Sequence, residues 1–413
     1  MFKLALKSLL NRKTSVILTV VAIAVSVALL LAVERVKEQV QQNFANTVSG
    51  TDLIIGPRSS QTQLLLASIF HIGSMTNAMS WDSYENIAGR DEVDWAVPIS
   101  LGDSVQGLPV VATTEGYVKH YRYADKQTLN VIQGRWFADN EQAILGAEAA
   151  KTLGLAVGDQ LTIAHGSGGL SFSEHDQHPI AVVGVLARTG TPVDQAVFVS
   201  LETIETVHGI EPGATEHAKD HHHEGHEHPA ESITAALLGL KVKPLALRLQ
   251  REINTYEKEP LTALMPGMTL QQLWKTLNVF EQTLNGMSAI VVLIGLIGML
   301  TILLASLRER RREMAVLRAV GAGPLTLFSL LVTEAVLVTL FATFAGLALL
   351  YTLQWSLMDF IHSQTGILFS LNLPTPAEWW RMGLVVIAGF LLSLIPAWRA
   401  YRQSLSDGLT VKV

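Results

Sequence analysis

The stretch RERRREMAVLRAVGAGP, from Arg308 to Pro324, lies between two long apolar runs and decides how the chain is organised. Its first five residues contain four arginines, which cannot follow the preceding apolar segment into lipid. They therefore stop that segment at a membrane face, and the positive-inside rule makes this face cytoplasmic. Behind them, Met314, Leu317 and Val320 recur every three residues, which predicts a short amphipathic helix.

The composition fits neither an ordinary soluble enzyme nor a protein wholly embedded in lipid. Of the 413 residues, 49% are hydrophobic and 16% are charged, and the mean hydropathy is +0.32. These values predict a membrane-spanning part together with one sizeable aqueous domain. The net charge of −6 argues against nucleic acid as a partner. The absence of cysteine excludes disulfides, thiolate metal sites and cysteine nucleophiles.

Four apolar runs predict an α-helical four-span bundle, because ~20 apolar residues cross a hydrocarbon layer of ~30 Å. The predicted spans are 14–33, 284–307, 324–353 and 379–398. The predicted cytoplasmic segments are the N-terminus at 1–13, the amphipathic coupling helix at 308–323 and the tail at 399–413. These three segments are basic, whereas the short outer loop at 354–378 contains no lysine or arginine, so the charge asymmetry supports this topology.

Residues 34–283 are predicted to form a domain outside the cytoplasm, with a helical stalk at each end. Residues 34–46 continue the first span, and an amphipathic helix over 270–284 leads into the second, after a turn at 265–268. Between them, β-rich runs separated by glycine predict an α/β domain. The predicted strands are 93–99, 108–113, 142–145, 160–164, 180–186 and 196–199, with a helix at 147–153. The region contains no nucleophile elbow, metalloprotease helix or phosphate-binding loop.

The string ERRREMAVLRAVGA, from Glu309 to Ala322, resembles the cytoplasmic helix of the FtsX-like/MacB-like permease family, the transmembrane subunits of type VII ABC transporters. Glycine turns between residues 134 and 186 are similar in order to those of a MacB-like core domain, and Pro396–Arg402 is similar to the family's closing tail. The resemblance implies that this helix docks against a separate ATPase subunit. The residues that it assigns to this coupling are Glu309, Arg310, Arg311, Arg312, Glu313, Met314, Leu317, Arg318 and Gly321.

The same resemblance implies a function for the whole chain. It would be a non-catalytic permease subunit in the bacterial inner membrane, transmitting ATP-driven movement of the ATPase to a periplasmic domain. Its other expected partners are a second copy of itself and a periplasmic adaptor or substrate-delivery protein. The sequence has no Walker-type phosphate loop for binding ATP. The alternative is a membrane-anchored periplasmic receptor or enzyme without an ATPase partner.

An insert at 206–231 differs from the rest of the chain, because it contains seven of the 13 histidines, interleaved with carboxylates. Its glycines and prolines predict an irregular surface loop. Imidazole and carboxylate groups suit zinc and other transition metals, so the loop is either a metal site or a solvated segment without one. The candidate ligands are His217, His221, His222, His223, His226 and His228.

Glu334 lies within the third predicted span. An ionisable residue inside a membrane span is costly to bury, so its presence suggests a function by default. The predicted spans contain no relay of other acidic residues or histidines, which favours a buried pair or hydrogen bond within the bundle over proton or ion transport.

Overall fold

The computed structural model describes residues 13–47, 49–73, 75, 77–165, 179–208, 231–309, 323–365 and 371–406. These residues divide into two compact units, which we call the membrane unit and the sheet domain. The membrane unit consists of the described residues of Met1–Gln39, Leu277–Met358 and Phe369–Val413, and the sheet domain of those of Val40–Thr276 and Asp359–Leu368.

The described residues form ten α-helices and fifteen β-strands. The helices are α1 (Lys13–Thr47), α2 (Gln61–Phe70), α3 (Trp81–Ala88), α4 (Gly116–His120), α5 (Ala147–Leu153), α6 (Leu201–His208), α7 (Ala246–Asn254), α8 (Pro266–Glu309), α9 (Pro324–Thr365) and α10 (Pro376–Ser406). The strands are β1 (Leu53–Pro57), β2 (Met79–Ser80), β3 (Val93–Val105), β4 (Leu108–Thr113), β5 (Arg122–Tyr123), β6 (Gln127–Thr128), β7 (Val131–Gly134), β8 (Gln142–Leu145), β9 (Gln160–Leu161), β10 (Ala164–His165), β11 (Ile180–Leu186), β12 (Val197–Ser200), β13 (Ser232–Ile233), β14 (Ala235–Leu240) and β15 (Leu261–Leu264).

Eleven of these strands form one mixed sheet in the order β15-β1-β14-β3-β4-β12-β8-β11-β7, with β10 paired to β3 and β9 paired to β11. The pairs β12–β4 and β11–β8 are parallel, and the remaining ladders of this sheet are antiparallel. Helices connect the strands, so the predicted α/β class of this domain is confirmed.

The sheet domain buries apolar side chains on both faces of its sheet. Successive residues of a strand face opposite sides, and in β12 Val197 and Val199 belong to one apolar cluster while Phe198 belongs to the other. Helices α3, α5, α6 and α7 contribute to the first cluster, and α2 and α4 to the second. All three β12 side chains are fully buried, and each such side chain stabilises the fold by about 1.5–3 kcal/mol.

Several boundaries predicted from the sequence are wrong. The strand predicted at 93–99 continues to Val105, and the strand predicted at 160–164 is divided into β9 and β10. The turn predicted at 265–268 is the first turn of α8, because Pro266 occupies a position where a helix needs no N–H donor, and the Thr269 N–H already donates to the Met265 carbonyl at 3.0 Å. The loop predicted at 206–231 starts three residues too early. Thr206 and Val207 belong to α6, where the Thr206 hydroxyl donates to the Glu202 carbonyl at 2.9 Å.

The membrane unit is built from α1, α8, α9 and α10, and each of these helices is long and apolar enough to cross a membrane. All four contribute to its main apolar cluster, which includes Ile23 of α1, Leu296 of α8, Val338 of α9 and Val385 of α10. The predicted four-span bundle is therefore confirmed as a set of four apolar helices in the part of the chain that the structure describes.

Small residues bring the helices of the membrane unit together. A methyl group added to Gly346 of α9 would lie 2.6 Å from the carbonyl oxygen of Ala24 in α1. A methyl group added to Gly295 of α8 would lie 3.2 Å from Ser26 Oγ, also in α1. Lipid tails are as apolar as the helix surfaces, so close packing of this kind takes the place of a hydrophobic driving force between helices.

Candidate functional site

A polar cluster joins three of the four long helices at the ends that the predicted topology places outside the cytoplasm. We call Arg35, Tyr351, Gln354 and Glu378 the outer polar cluster. Arg35 of α1 and Glu378 of α10 form its centre and are only 6% and 1% exposed. The guanidinium donates two parallel hydrogen bonds to the carboxylate, Nε to Oε1 and Nη2 to Oε2, both at 2.9 Å. This bidentate pairing is stronger and more directional than a single charged contact.

The same guanidinium also contacts α9. Its Nη1 donates to Oε1 of Gln354 at 3.0 Å, and its Nη2 donates to the hydroxyl oxygen of Tyr351 at 3.1 Å. One side chain of α1 therefore bonds to both α9 and α10. A buried charge of this kind persists in a structure only when its partners satisfy it.

Two further ion pairs flank the outer polar cluster. Glu34 of α1 accepts a hydrogen bond from Nη2 of Arg381 in α10 at 2.6 Å, and Lys37 of α1 donates to Glu281 of α8, also at 2.6 Å. These side chains are between 14% and 29% exposed, so water screens them only in part. Together with Arg35, they connect α1 to each of the other three long helices.

The carboxylate of Glu378 is oriented by the start of its own helix. Thr375 precedes α10, Pro376 is its first residue, and Glu378 follows two residues later. Glu378 Oε2 accepts from the Thr375 backbone N–H at 2.9 Å, while Thr375 Oγ1 accepts from the Glu378 N–H at 3.4 Å. This reciprocal arrangement is a capping box. The carboxylate that meets Arg35 is thus fixed by local sequence.

Within the sheet domain, the ends of α1 and α8 are attached to each other and to the sheet's second apolar cluster. The ring of Phe44 in α1 stacks on Phe70 with centroids 4.1 Å apart, and it meets Trp274 of α8 edge-on at 5.6 Å. The Tyr121 hydroxyl donates to the carbonyl oxygen of Thr47, the last residue of α1, at 3.0 Å. Burial raises the pKa of Tyr121, so this hydroxyl stays protonated and remains a donor.

None of the outer polar cluster is among the candidate residues from the sequence. Two signals could have pointed to it. Thr375-Pro-Ala-Glu378 has the spacing of a capping box directly before an apolar run. Arg35 and Lys37 are basic residues at the outer end of a span, where the positive-inside rule disfavours them, and such residues need acidic partners.

The structure places only some of the predicted site residues. Glu334 is 2% exposed in α9, between Leu331 and Ala335 of the apolar clusters, and Glu309 is the last residue of α8. The other predicted coupling residues and the candidate metal ligands lie outside the described residues: Arg310, Arg311, Arg312, Glu313, Met314, Leu317, Arg318, Gly321, His217, His221, His222, His223, His226 and His228. Among the residues that are described, no group of three or more His, Asp or Glu side chains could hold a metal ion.

Known proteins are similar to this chain in both of its units. Residues 15–234 match the MacB-like periplasmic core domain family, and residues 285–405 match the FtsX-like permease C-terminal family. The macrolide export ATP-binding/permease protein MacB of Shewanella sp. (strain W3-18-1) is 31% identical over 139 residues, which are 34% of this chain and 21% of that protein. The pyoverdine export ATP-binding/permease protein PvdT of Pseudomonas savastanoi pv. phaseolicola (strain 1448A / Race 6) is 24% identical over 288 residues, 68% of this chain and 40% of that protein.

The chain therefore aligns with less than half the length of these relatives. Among solved structures, the periplasmic region of MacB from Actinobacillus actinomycetemcomitans is similar at 12% identity with a TM-score of 0.34, covering 56% of this chain and 95% of that one. The periplasmic core match alone spans more than half of the sequence, and the second match spans three of the four apolar helices. The chain belongs to the FtsX-like permease family, with a MacB-like periplasmic core domain.

Proposed function

We propose that this chain is a permease subunit that passes the ATP-driven movement of a separate ATPase subunit to its periplasmic domain. The observation that carries the proposal is the set of ion pairs on α1. Ion pairs of Glu34, Arg35 and Lys37 join this helix to α8 and α10, and hydrogen bonds from Arg35 join it to α9. The same helix ends at Thr47, which accepts a hydrogen bond within the sheet domain. Family membership supports the permease role.

The movement would enter at the cytoplasmic end of α8. This helix ends at Glu309, and the arginine-rich segment 308–318 follows the second span directly. The helix has 44 residues, so it is about 66 Å long at ~1.5 Å per residue. A continuous hydrogen-bonded helix of this length transmits a displacement of one end to the other as a rigid element.

At the outer end, the movement would be shared between α8 and α1. The Lys37–Glu281 ion pair joins the two helices in the membrane unit, and the Phe44–Trp274 contact joins them in the sheet domain. Because both connections would have to break for one helix to move alone, we propose that the two helices move the periplasmic domain as a pair.

The substrate would be handled on the periplasmic side rather than carried through the bundle. The membrane unit buries an apolar cluster with members such as Ile23 and Leu296. Buried hydroxyl groups such as those of Thr339 and Ser393 donate to carbonyls of their own helices, so they are engaged locally and are not arranged as the polar lining that a hydrophilic pathway needs. The relatives named for macrolide export and pyoverdine export suggest a small-molecule substrate, and a peptide or lipoprotein is an equal candidate.

Co-purification tests the coupling. An affinity-tagged chain from its native membrane is expected to bring down a vanadate-sensitive ATPase activity, and Arg311→Glu/Arg312→Glu is expected to lose it. Arg248→Glu, an exposed charge reversal in the sheet domain, serves as the matched control and should retain the ATPase. The proposal is contradicted if no ATPase accompanies the unmodified chain or if the double variant keeps it. Either result would support the alternative of a receptor or enzyme without an ATPase.

We also propose that the active form contains two copies of this chain, working with a periplasmic adaptor. One face of α1 supports this: Ile17, Leu18, Val21 and Val25 are between 51% and 67% exposed at helical spacing. Such a face contacts either lipid or a second copy. Native mass spectrometry from nanodiscs is expected to give a dimer, and a monomer in the presence of bound ATPase would contradict it.

The histidine-rich tract supports a second proposal, that residues 206–231 bind zinc. The end of the tract is fixed, because the Glu231 N–H donates to Glu205 at 3.0 Å and the Trp81 N–H donates to the Glu231 carbonyl at 3.0 Å. Burial raises the pKa of Glu205, and the negative charges of Glu231 and Glu202 add to this effect, so several carboxyl groups lie close together where the tract ends.

Calorimetry with zinc alone tests this second proposal. The full chain is expected to bind the ion, and a variant lacking residues 216–228, which keeps Glu231, is expected to lose the binding. Equal titrations of the two proteins would exclude the tract as the site. Unchanged growth of the deletion strain under zinc limitation and zinc excess would exclude a physiological role.

A further inference from the structure

The inner end of α10 packs against α8 and α9 in an apolar cluster that is separate from the main one. The earlier part of α10 contributes Met382 and Val385 to the main apolar cluster, and Leu392 packs against that cluster. Ala397, five residues after Leu392, belongs to a second, smaller apolar cluster that shares no residue with the main cluster. Its buried members are Leu331, Ala397 and Ala400, with Leu304, Phe328 and Val332 packed against them.

The change from one cluster to the other coincides with the weakest point of the helix. Pro396 lies inside α10, where it lacks the N–H that would bond to the Leu392 carbonyl and its ring crowds that carbonyl. One turn earlier, the fully buried Ser393 donates its hydroxyl to the Phe390 carbonyl at 2.6 Å. Side-chain bonds of this type compete with the helical hydrogen bonds and bend helices.

The two sides of Pro396 also differ in how firmly they are held. The outer part of α10 is fixed by the Glu378–Arg35 and Arg381–Glu34 ion pairs. Between Pro396 and Arg402, where the structure describes the side chains, the buried α10 residues are Ala397 and Ala400, whose single methyl groups interlock little with neighbouring side chains. A shift of this inner segment therefore displaces small buried side chains, whereas a shift of the outer segment breaks the buried Arg35–Glu378 pair and the partly exposed Arg381–Glu34 pair.

We propose that Pro396 is a hinge, at which the inner segment Ala397–Ser406 swings relative to Pro376–Leu392. This rests on the proposed function, in which the inner ends of the helices receive movement from an ATPase. The hinge gives the ATPase side a second moving element beside the arginine-rich segment. It also lets that element move while the outer polar cluster stays closed.

Spin-label distances test the hinge without any ATPase. The natural chain has no cysteine, so Ile387→Cys and Arg402→Cys, both at exposed positions on opposite sides of Pro396, give a clean label pair. In nanodiscs, the distance distribution of the otherwise unmodified chain is expected to be about twofold wider than that of Pro396→Ala, because alanine restores the helical hydrogen bond.

Two controls keep the result specific. Gly383→Ala lies in the same helix with open space around it and should leave the distribution wide. Pro396→Gly, which keeps the helix weak without the ring, should also leave it wide. A distribution that is as narrow in the otherwise unmodified chain as in the Pro396→Ala variant would overturn the hinge. Loss of ATPase co-purification would instead overturn the proposed function, so the two failures are distinguishable.

Discussion

The sheet domain and the membrane unit are stabilised in different ways. In the sheet domain, side chains such as Phe198 and Ile144 are fully buried on the two faces of one sheet, and an ion pair such as Lys119–Glu115 is largely exposed. In the membrane unit the Arg35–Glu378 ion pair is almost completely buried. The apolar core is thus the main stabilising feature of the first unit, and specific polar and small-residue contacts are central to the second.

The difference follows from the surroundings that each unit is expected to have. A domain in water gains stability by removing apolar surface from solvent. Helices in lipid gain nothing by that route when they associate, so close packing and buried polar contacts decide which helices are neighbours. Ion pairs are directional, and they therefore suit a unit whose proposed task is to pass movement from one helix to another.

The strongest test of this comparison is Arg35→Ala. Removing the guanidinium leaves Glu378 buried without its main partner, which is expected to cost about 3–5 kcal/mol of the free energy of unfolding. Denaturation of the purified chain in mild detergent, titrated with sodium dodecyl sulfate, would measure this loss. Lys119→Ala, which removes an exposed pair in the sheet domain, should change stability by no more than about 0.5 kcal/mol. Equal effects of the two substitutions would remove the distinction between the units.

The sheet domain should respond to pH through His71. Both ring nitrogens of this residue are shielded from solvent and have no hydrogen-bond partner among the described residues, and burial lowers its pKa to about 4. Between pH 6.5 and 4 the imidazole binds a proton in the unfolded chain but not in the folded domain. Protonation therefore favours the unfolded chain, and the free energy of unfolding decreases as the pH falls through this window. The loss is expected to reach about 3 kcal/mol.

The His71→Asn variant isolates this effect. Asparagine tolerates the left-handed backbone conformation at this position, where φ is 54°. Urea unfolding followed by tryptophan fluorescence at pH 7 and pH 5 should show a smaller loss of stability in the variant than in the unmodified chain. The same loss in both proteins would assign the pH dependence to other groups.

A smaller effect is expected from crowding the contact between α1 and α9. Gly346→Ala places a methyl group 2.6 Å from the Ala24 carbonyl oxygen, and the backbone has to move to relieve the overlap. We expect a cost of about 1–3 kcal/mol in the same detergent titration. Gly383→Ala is the control, because open space surrounds that position. If the two alanine variants unfold alike, small-residue packing does not hold this pair of helices together.

The smallest effect should come from the capping box. Thr375→Ala removes the hydroxyl that accepts from the Glu378 N–H and is expected to cost about 1 kcal/mol, whereas Thr375→Ser retains it. The Thr375→Ala variant also removes one of the two hydrogen bonds that hold Glu378 at the start of α10, so it should weaken the Arg35–Glu378 ion pair. A double-mutant cycle of Thr375→Ala with Arg35→Ala measures this coupling, and strictly additive effects would show that the cap does not orient the carboxylate.

Much of the fold could be predicted because its signals are local. The strand predicted at 180–186 coincides with β11, and the helix predicted at 147–153 coincides with α5, since apolar alternation and glycine turns mark both in the sequence. β15 was missed. It has only four residues and is fully buried, so it shows no alternation, and Pro260 and Pro266 on either side of it resemble a loop.

The candidate site was harder to predict because its partners are distant in sequence. Arg35 and Glu378 are separated by 343 positions, and no periodicity of either segment reports that they meet. The register of four packed helices decides which charges face each other, and that register depends on contacts such as Gly346 against Ala24. The predicted coupling residues at 310–321 stay a prediction, because they lie outside the described residues.

The central claim is that α1, through its ion pairs, carries movement of the membrane unit to the periplasmic domain. The most direct test is a spin-label distance between Leu373→Cys in the membrane unit and Thr128→Cys in the sheet domain, two exposed positions, in the complex with its ATPase. The distance distribution is predicted to shift when a non-hydrolysable ATP analogue binds, and Arg35→Ala is predicted to abolish that shift while the ATPase stays bound. An unchanged shift in Arg35→Ala would contradict the account.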